Sequence, residues 1–109
     1  MSSVFKALAD PSRRRILQLL HERPMTAGEL ASHFPFAKPT MSAHFAILRE
    51  ADLVEANKAG SSVIYSLKLS VIEDALLGFA ESLGVGVERK SEGERHEQAH
   101  EAYPRGRAP

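Results

Sequence analysis

The sequence predicts a mainly α domain carrying a small β-hairpin, followed by a polar tail. Three observations lead there. Apolar residues recur at helical spacing in successive stretches from Val4 to Leu83. Those stretches are bracketed by residues that start or stop helices. Between Leu53 and Leu67 the spacing changes to that of strands around the turn signal "KAGSS".

The first helical pattern runs from about Ser3 to Glu22 in two pieces. Val4, Phe5 and Leu8 give one apolar turn, and "DPSRRRILQLL" then restarts the helix. Asp10 has the character of an N-cap, and Pro11 fits the first helical position, where its missing N–H costs nothing. Ile16, Leu17, Leu19 and Leu20 supply a wide buried face. Arg13, Arg14 and Arg15 cannot all point one way; they are read mainly as formers of salt bridges, with one phosphate contact left open. "ERPM" breaks the pattern. Thr26 and Glu29 then have the spacing of a capping box, which starts a short helix with Leu30 and Phe34 on one face. After a tight turn at Pro35, a further helix is expected from Lys38 to Glu50. Pro39 is tolerated there because it lies in the first turn. Two short helices joined by such a turn make a helix-turn-helix.

Asp52 stands where this helix must end in a left-handed residue, a conformation that aspartate tolerates better than most. The hairpin follows, with Gly60 free to take positive φ at its tip. Tyr65 is expected to pack at the hairpin base. A second capping box, Ser70 with Glu73, opens the last helix, whose stripe is Ile72, Leu76, Phe79 and Leu83. Residues 1–84 are read as the folded domain. Residues 85–109, polar and poor in core formers, are read as a tail without fixed structure. Helix, helix, groove-sized helix, hairpin, helix is the order of a winged helix-turn-helix.

Composition excludes several chemistries. The 109 residues contain no cysteine, so disulfides, thiolate metal sites and cysteine nucleophiles are ruled out. No apolar run reaches the roughly 18–20 residues of a membrane span, and the N-terminus lacks a signal-peptide pattern. Cytoplasmic residence without membrane insertion is expected. The formal net charge of zero conceals an uneven distribution. Residues 1–68 carry nine Lys/Arg against six Asp/Glu, and residues 69–109 carry five against eight. The excess of three positive charges in the first part permits a polyanionic partner without demanding one.

With Met41, Phe45 and Leu48 fixing its buried side, the 38–50 helix turns Pro39, Thr40, Ser42, Ala43 and His44 outward or sideways. An α-helix fits the major groove of B-DNA, and its N-terminal residues reach the base edges. Hydroxyls and an imidazole can bond bases or phosphates, and the Ala43 methyl can meet a thymine methyl. Taken alone, this polar face is equally that of a solvated helix. On the hairpin, Lys58 is the best phosphate partner, with Ser61 and Ser62 weaker. Arg49 is placed equally well for a phosphate or a surface ion pair. The stripe of Ile72, Leu76, Phe79 and Leu83, with Val4, Phe5 and Leu8, is a natural dimer seam. A twofold dimer doubles the DNA contacts and predicts a palindromic operator.

The segments "VFKALADPSRRRILQLL", "MTAGELASHF", "KPTMSAHFAILREADLV" and "VIYSL", in this order, resemble the ArsR/SmtB family of bacterial transcriptional repressors, and more closely its cysteine-free autorepressor branch. The resemblance covers about residues 3–83. It implies DNA contacts at Lys38, Thr40, Ser42, Ala43 and His44, and dimerisation through the first and last helices. It also suggests autorepression, controlled by a partner protein or small-molecule signal in place of a metal. Where the family more often has serine, this chain has Ala37, so a side-chain cap is expected to be missing. Family metal sites use cysteines in the second helix or Asp and His on the last. Here the former is "ELASHF" and the latter has Glu73 and Asp74 but no histidine, so neither cofactor nor metal is expected.

The tail offers one contrary motif. "HEQAH", His96 to His100, matches the H-E-x-x-H of zinc peptidases. A peptidase also needs a third ligand, a cleft and a rigid scaffold, and the tail promises none, so no enzyme activity is expected. Two other readings remain open: a metal-responsive repressor using His and carboxylate ligands, and a winged helix serving protein contacts only.

Overall fold

The structure, a computed structural model, describes residues 2–86. The element order is α1 (Ser2–Leu8), α2 (Pro11–Glu22), β1 (Met25–Thr26), α3 (Ala27–Ala31), α4 (Lys38–Glu50), β2 (Val54–Ala59), β3 (Ser62–Leu67) and α5 (Leu69–Ser82). The first compact unit, Met1–Phe79, holds everything through most of α5; a second begins at Ala80.

Local chemistry sets the helix starts. The Asp10 carboxylate accepts from the Arg13 amide at 3.0 Å and Pro11 opens α2. At α3 the capping box is complete: the Glu29 amide donates to Thr26 Oγ1 at 3.0 Å, and the Thr26 amide donates to Glu29 Oε1 at 2.8 Å. Ala37 caps α4 with extended backbone and no side-chain bond. Helix α5 starts at Leu69, one residue ahead of the Ser70 cap expected from the sequence.

The helix ends are equally specified. Asp52 takes φ +62, its amide donates to the Arg49 carbonyl at 2.9 Å, and the Leu53 amide to that of Leu48 at 3.0 Å. These are the two bonds of a Schellman motif, and Leu48 and Leu53, both fully buried, supply its apolar contact. Within the second unit Gly84 ends α5 in the same way at φ +79, with Val85 donating to Ala80 at 2.9 Å.

The wing contains more than a hairpin. Strands β2 and β3 pair from Val54↔Leu67 to Ala59↔Ser62, which leaves Gly60 and Ser61 as the two-residue loop. Gly60 takes φ +64 in its first position, where a type II′ turn wants glycine. β1 adds on the other side of β3, through Met25↔Tyr65 and Thr26↔Ile64, giving a three-stranded antiparallel sheet in the order β1-β3-β2. The sequence reading passes over β1, because a two-residue strand has no alternation to detect.

The core gathers Ile16, Leu30, Met41, Leu48 and Leu53, all under 2–3% exposed, with Leu17, Leu20, Phe45 and Tyr65 around them. Burying each large aliphatic side chain contributes about 1.5–3 kcal/mol. Tyr65 stacks on Phe45, ring centroids 4.8 Å apart, so the hairpin base is locked to the buried side of α4 as expected. Val4, expected in the seam, is 8% exposed and packs in this core.

Candidate nucleic-acid interface

Helix α4 presents its two faces as its sequence dictates. Met41, Phe45 and Leu48 are buried, whereas Lys38, Pro39, Thr40, Ser42, Ala43 and Arg49 are exposed. Every candidate contact on the helix is therefore open to a ligand except His44, which is half-buried. At the start of α4 the Thr40 and Met41 amides both turn toward the Ala37 carbonyl, at 3.0 and 3.1 Å. With no side chain over this end, the first turn offers its dipole to an anion.

His44 sits in a built environment. Its Nδ1 lies 3.3 Å from Arg13 Nη1, and its ring lies 5.9 Å from that of Phe36, tilted by 50°. Phe36 in turn stacks on Phe34 at 5.8 Å. The Arg13 amide, with the charge of the Arg13 guanidinium behind it, holds the Asp10 carboxyl below its ordinary range. Here the sequence reading is corrected: Arg13 and Arg14 bond main-chain carbonyls. Arg13 Nε and Nη2 donate to Ala7 and Lys6 at 2.9 Å each, Arg14 Nη1 donates to Leu8 at 2.8 Å, and Arg15 donates to Gln18 at 3.3 Å. The first two close the C-terminal end of α1. Neither Arg13 nor Phe36 was singled out beside His44, because the α2 and turn residues meet α4 only in the fold.

On the wing Lys58, Ser61 and Ser62 are all exposed around the β2–β3 loop. Across the other end of the hairpin, Lys68 Nζ meets Asp52 Oδ1 at 2.7 Å, and the Lys68 amide donates to the Leu53 carbonyl at 2.9 Å. The hydrogen bond from Lys68 to Asp52 raises the lysine's pKa. These contacts tie the foot of the wing to the end of α4, so the two surfaces share one frame.

The residues expected at the seam differ in exposure. Leu76 and Phe79 are 49% and 44% exposed, and no residue of α5 is buried. Phe5, half-buried, meets Phe79 with ring centroids 4.9 Å apart, which joins α1 to α5. Leu8 and Ile72 pack partly against the core. Leu83, in the second unit, is 63% exposed. Among the described residues no group of three or more His, Cys, Asp or Glu comes together to hold a metal. The HEQAH segment lies outside them. No described helix is long and apolar enough to cross a membrane.

Residues 8–56 match the family described as a helix-turn-helix domain. The chain is 43% identical over 76 residues to the transcriptional repressor SdpR of Bacillus subtilis, a match covering 70% of this chain and 84% of that one. It is 36% identical over 76 residues to the arsenical resistance operon repressor of Staphylococcus aureus, covering 70% and 73%. A crystal structure of an ArsR family transcriptional regulator superposes with a TM-score of 0.70 at 29% identity, over 76% of this chain and 91% of that one. An ArsR-like transcriptional regulator from Rhodococcus follows with a TM-score of 0.66 at 27% identity, over 91% and 87%. In sequence and in fold, the chain belongs to the ArsR/SmtB family of winged helix-turn-helix, DNA-binding transcriptional regulators.

Proposed function

We propose that this chain is a cytoplasmic homodimeric repressor that silences a promoter, its own among them, by occupying a palindromic operator. The observation that carries the reading is the division of α4. One face is locked into the core by Met41, Phe45 and Leu48, and the other offers small polar side chains at the helix N-terminus. Thr40, Ser42 and His44 read base edges, Ala43 packs on a thymine methyl, and Pro39 lies against the sugar-phosphate wall. Lys38, Arg49, Lys58, Ser61 and Ser62 hold phosphates on either side. Contacts of this number from one domain give weak binding, and two copies with half-sites about 34–36 Å apart repair it.

Within the first unit the dimer seam is Phe5, Leu76 and Phe79, flanked by Val4, Leu8 and Ile72; within the second unit Leu83 is a further partner contact. The seam is supported by an apolar helix α5 with no buried residue. Contiguous apolar surface of this kind is where proteins meet partners. Release from DNA is assigned to a regulatory protein or small-molecule signal, with residues 85–109 as an accessory tail. Sedimentation velocity with the Leu76→Glu variant tests the arrangement. The wild-type chain should sediment as a dimer, and the variant as a folded monomer with greatly weakened operator binding. A wild-type monomer that binds a single half-site as well as the full palindrome would overturn it.

A further inference from the structure

We infer that Arg13 is a positioning residue for DNA recognition, holding the His44 ring so that it meets DNA as a hydrogen-bond donor. The inference rests on the reading of α4 as the groove-facing helix. A guanidinium has only donors, so the 3.3 Å contact between Arg13 Nη1 and His44 Nδ1 requires a lone pair on Nδ1. The imidazole proton then sits on Nε2. Phe36 flanks the ring from the turn before α4, and the half-buried setting leaves it little freedom.

Arg13 is itself immobilised. Its Nε and Nη2 are committed to the Ala7 and Lys6 carbonyls at the end of α1, so the third nitrogen is aimed by the other two. The fork geometry is what a lysine cannot copy, because a single ammonium has no rigid set of directions. A ring presented as an Nε2–H donor suits a base-edge acceptor: guanine O6 or N7, adenine N7 or thymine O4, but nothing on cytosine. It is mismatched to the amino groups of adenine and cytosine. Arg13, without touching DNA, thereby restricts the base tolerated opposite His44.

The test uses the full chain and a duplex selected by the wild-type protein from random sequence. Affinities for this duplex and for a scrambled one are measured for wild type, Arg13→Ala, His44→Ala and the double variant. All four are checked for folding by circular dichroism, since Arg13 also closes α1. Arg13→Ala should weaken binding to the selected duplex about tenfold and to the scrambled one far less. In the His44→Ala background the same change should cost little. Arg13→Lys should restore only part of the loss. In the free protein, the ¹⁵N resonance of His44 Nδ1 should move on Arg13→Ala, a readout independent of DNA. Additive losses, equal losses on both duplexes, or an unmoved Nδ1 resonance would overturn this inference alone. Failure of the wild-type chain to enrich any duplex would overturn the reading of α4 and this inference with it.

Discussion

Replacing Ala37 by serine should make the protein more stable, by an amount that the other two capped helices set. The Ala37 backbone has φ −68° and ψ 157°, and that of Thr26, which caps α3 with its side chain, has φ −74° and ψ 161°. A serine oxygen at position 37 would therefore meet the Thr40 amide as Thr26 Oγ1 meets that of Glu29, at 3.0 Å. The position is exposed, so no repacking opposes the change. Gaining an N-cap of this kind stabilises by about 0.5–2 kcal/mol, centred near 1. For a domain of this size, about 1 kcal/mol raises the Tm by roughly 4–8 °C. Thermal unfolding followed by circular dichroism measures it, with Ala37→Val as the control that adds bulk without an oxygen. An unchanged Tm for Ala37→Ser, or an equal gain for Ala37→Val, would refute the capping account of how α4 begins.

Four further outcomes are expected. Leu48→Ala removes a fully buried side chain that also anchors the end of α4, and should cost about 2–5 kcal/mol in urea unfolding; a loss under 1 would show that the site collapses freely. Gly60→Val places a β-branched residue at φ +64 and should destabilise the wing by about 1–2 kcal/mol, although nothing lies within 4 Å of the added carbon. Lys58→Ala should lower affinity for specific and random DNA alike and reduce the salt slope by about one unit, whereas Ser42→Ala should weaken specific binding selectively. Finally, the Arg13 amide holds the Asp10 pKa down, and the Thr26 amide, ahead of Arg23, does the same for Glu29. Depressed carboxylate pKa values mean stabilisation that is present above the unfolded values and lost as pH falls through the folded ones. The urea midpoint should therefore fall below about pH 5, and less steeply in an Asp10→Asn, Glu29→Gln double variant.

What the sequence made legible was whatever local chemistry decides. The boundaries of α4, the missing cap at Ala37, the left-handed Asp52 and the glycine at the wing tip each depend on a few neighbouring residues, and each is found as expected. The buried triplet Met41, Phe45 and Leu48 followed from helical period alone. Features that depend on distant partners were hidden. Strand β1 exists because Met25 and Thr26 meet β3, about 40 residues further on. The partners of Arg13 are set by how α2 crosses the end of α1 and the side of α4. For Val4, period shows that its face is apolar, without showing that neighbours within the chain cover most of it. The same limit applies to α5, whose apolar stripe was legible while its occupant was not.

The proposed function stands or falls on whether α4 reads DNA sequence. Fluorescence anisotropy tests it most directly, with a labelled duplex from upstream of the protein's own coding region, a scrambled duplex of equal composition, and two salt concentrations. Tighter binding to the native duplex is expected, with both affinities falling as salt rises. No binding to either duplex at low salt would contradict it and assign the exposed face of α4 to a protein partner.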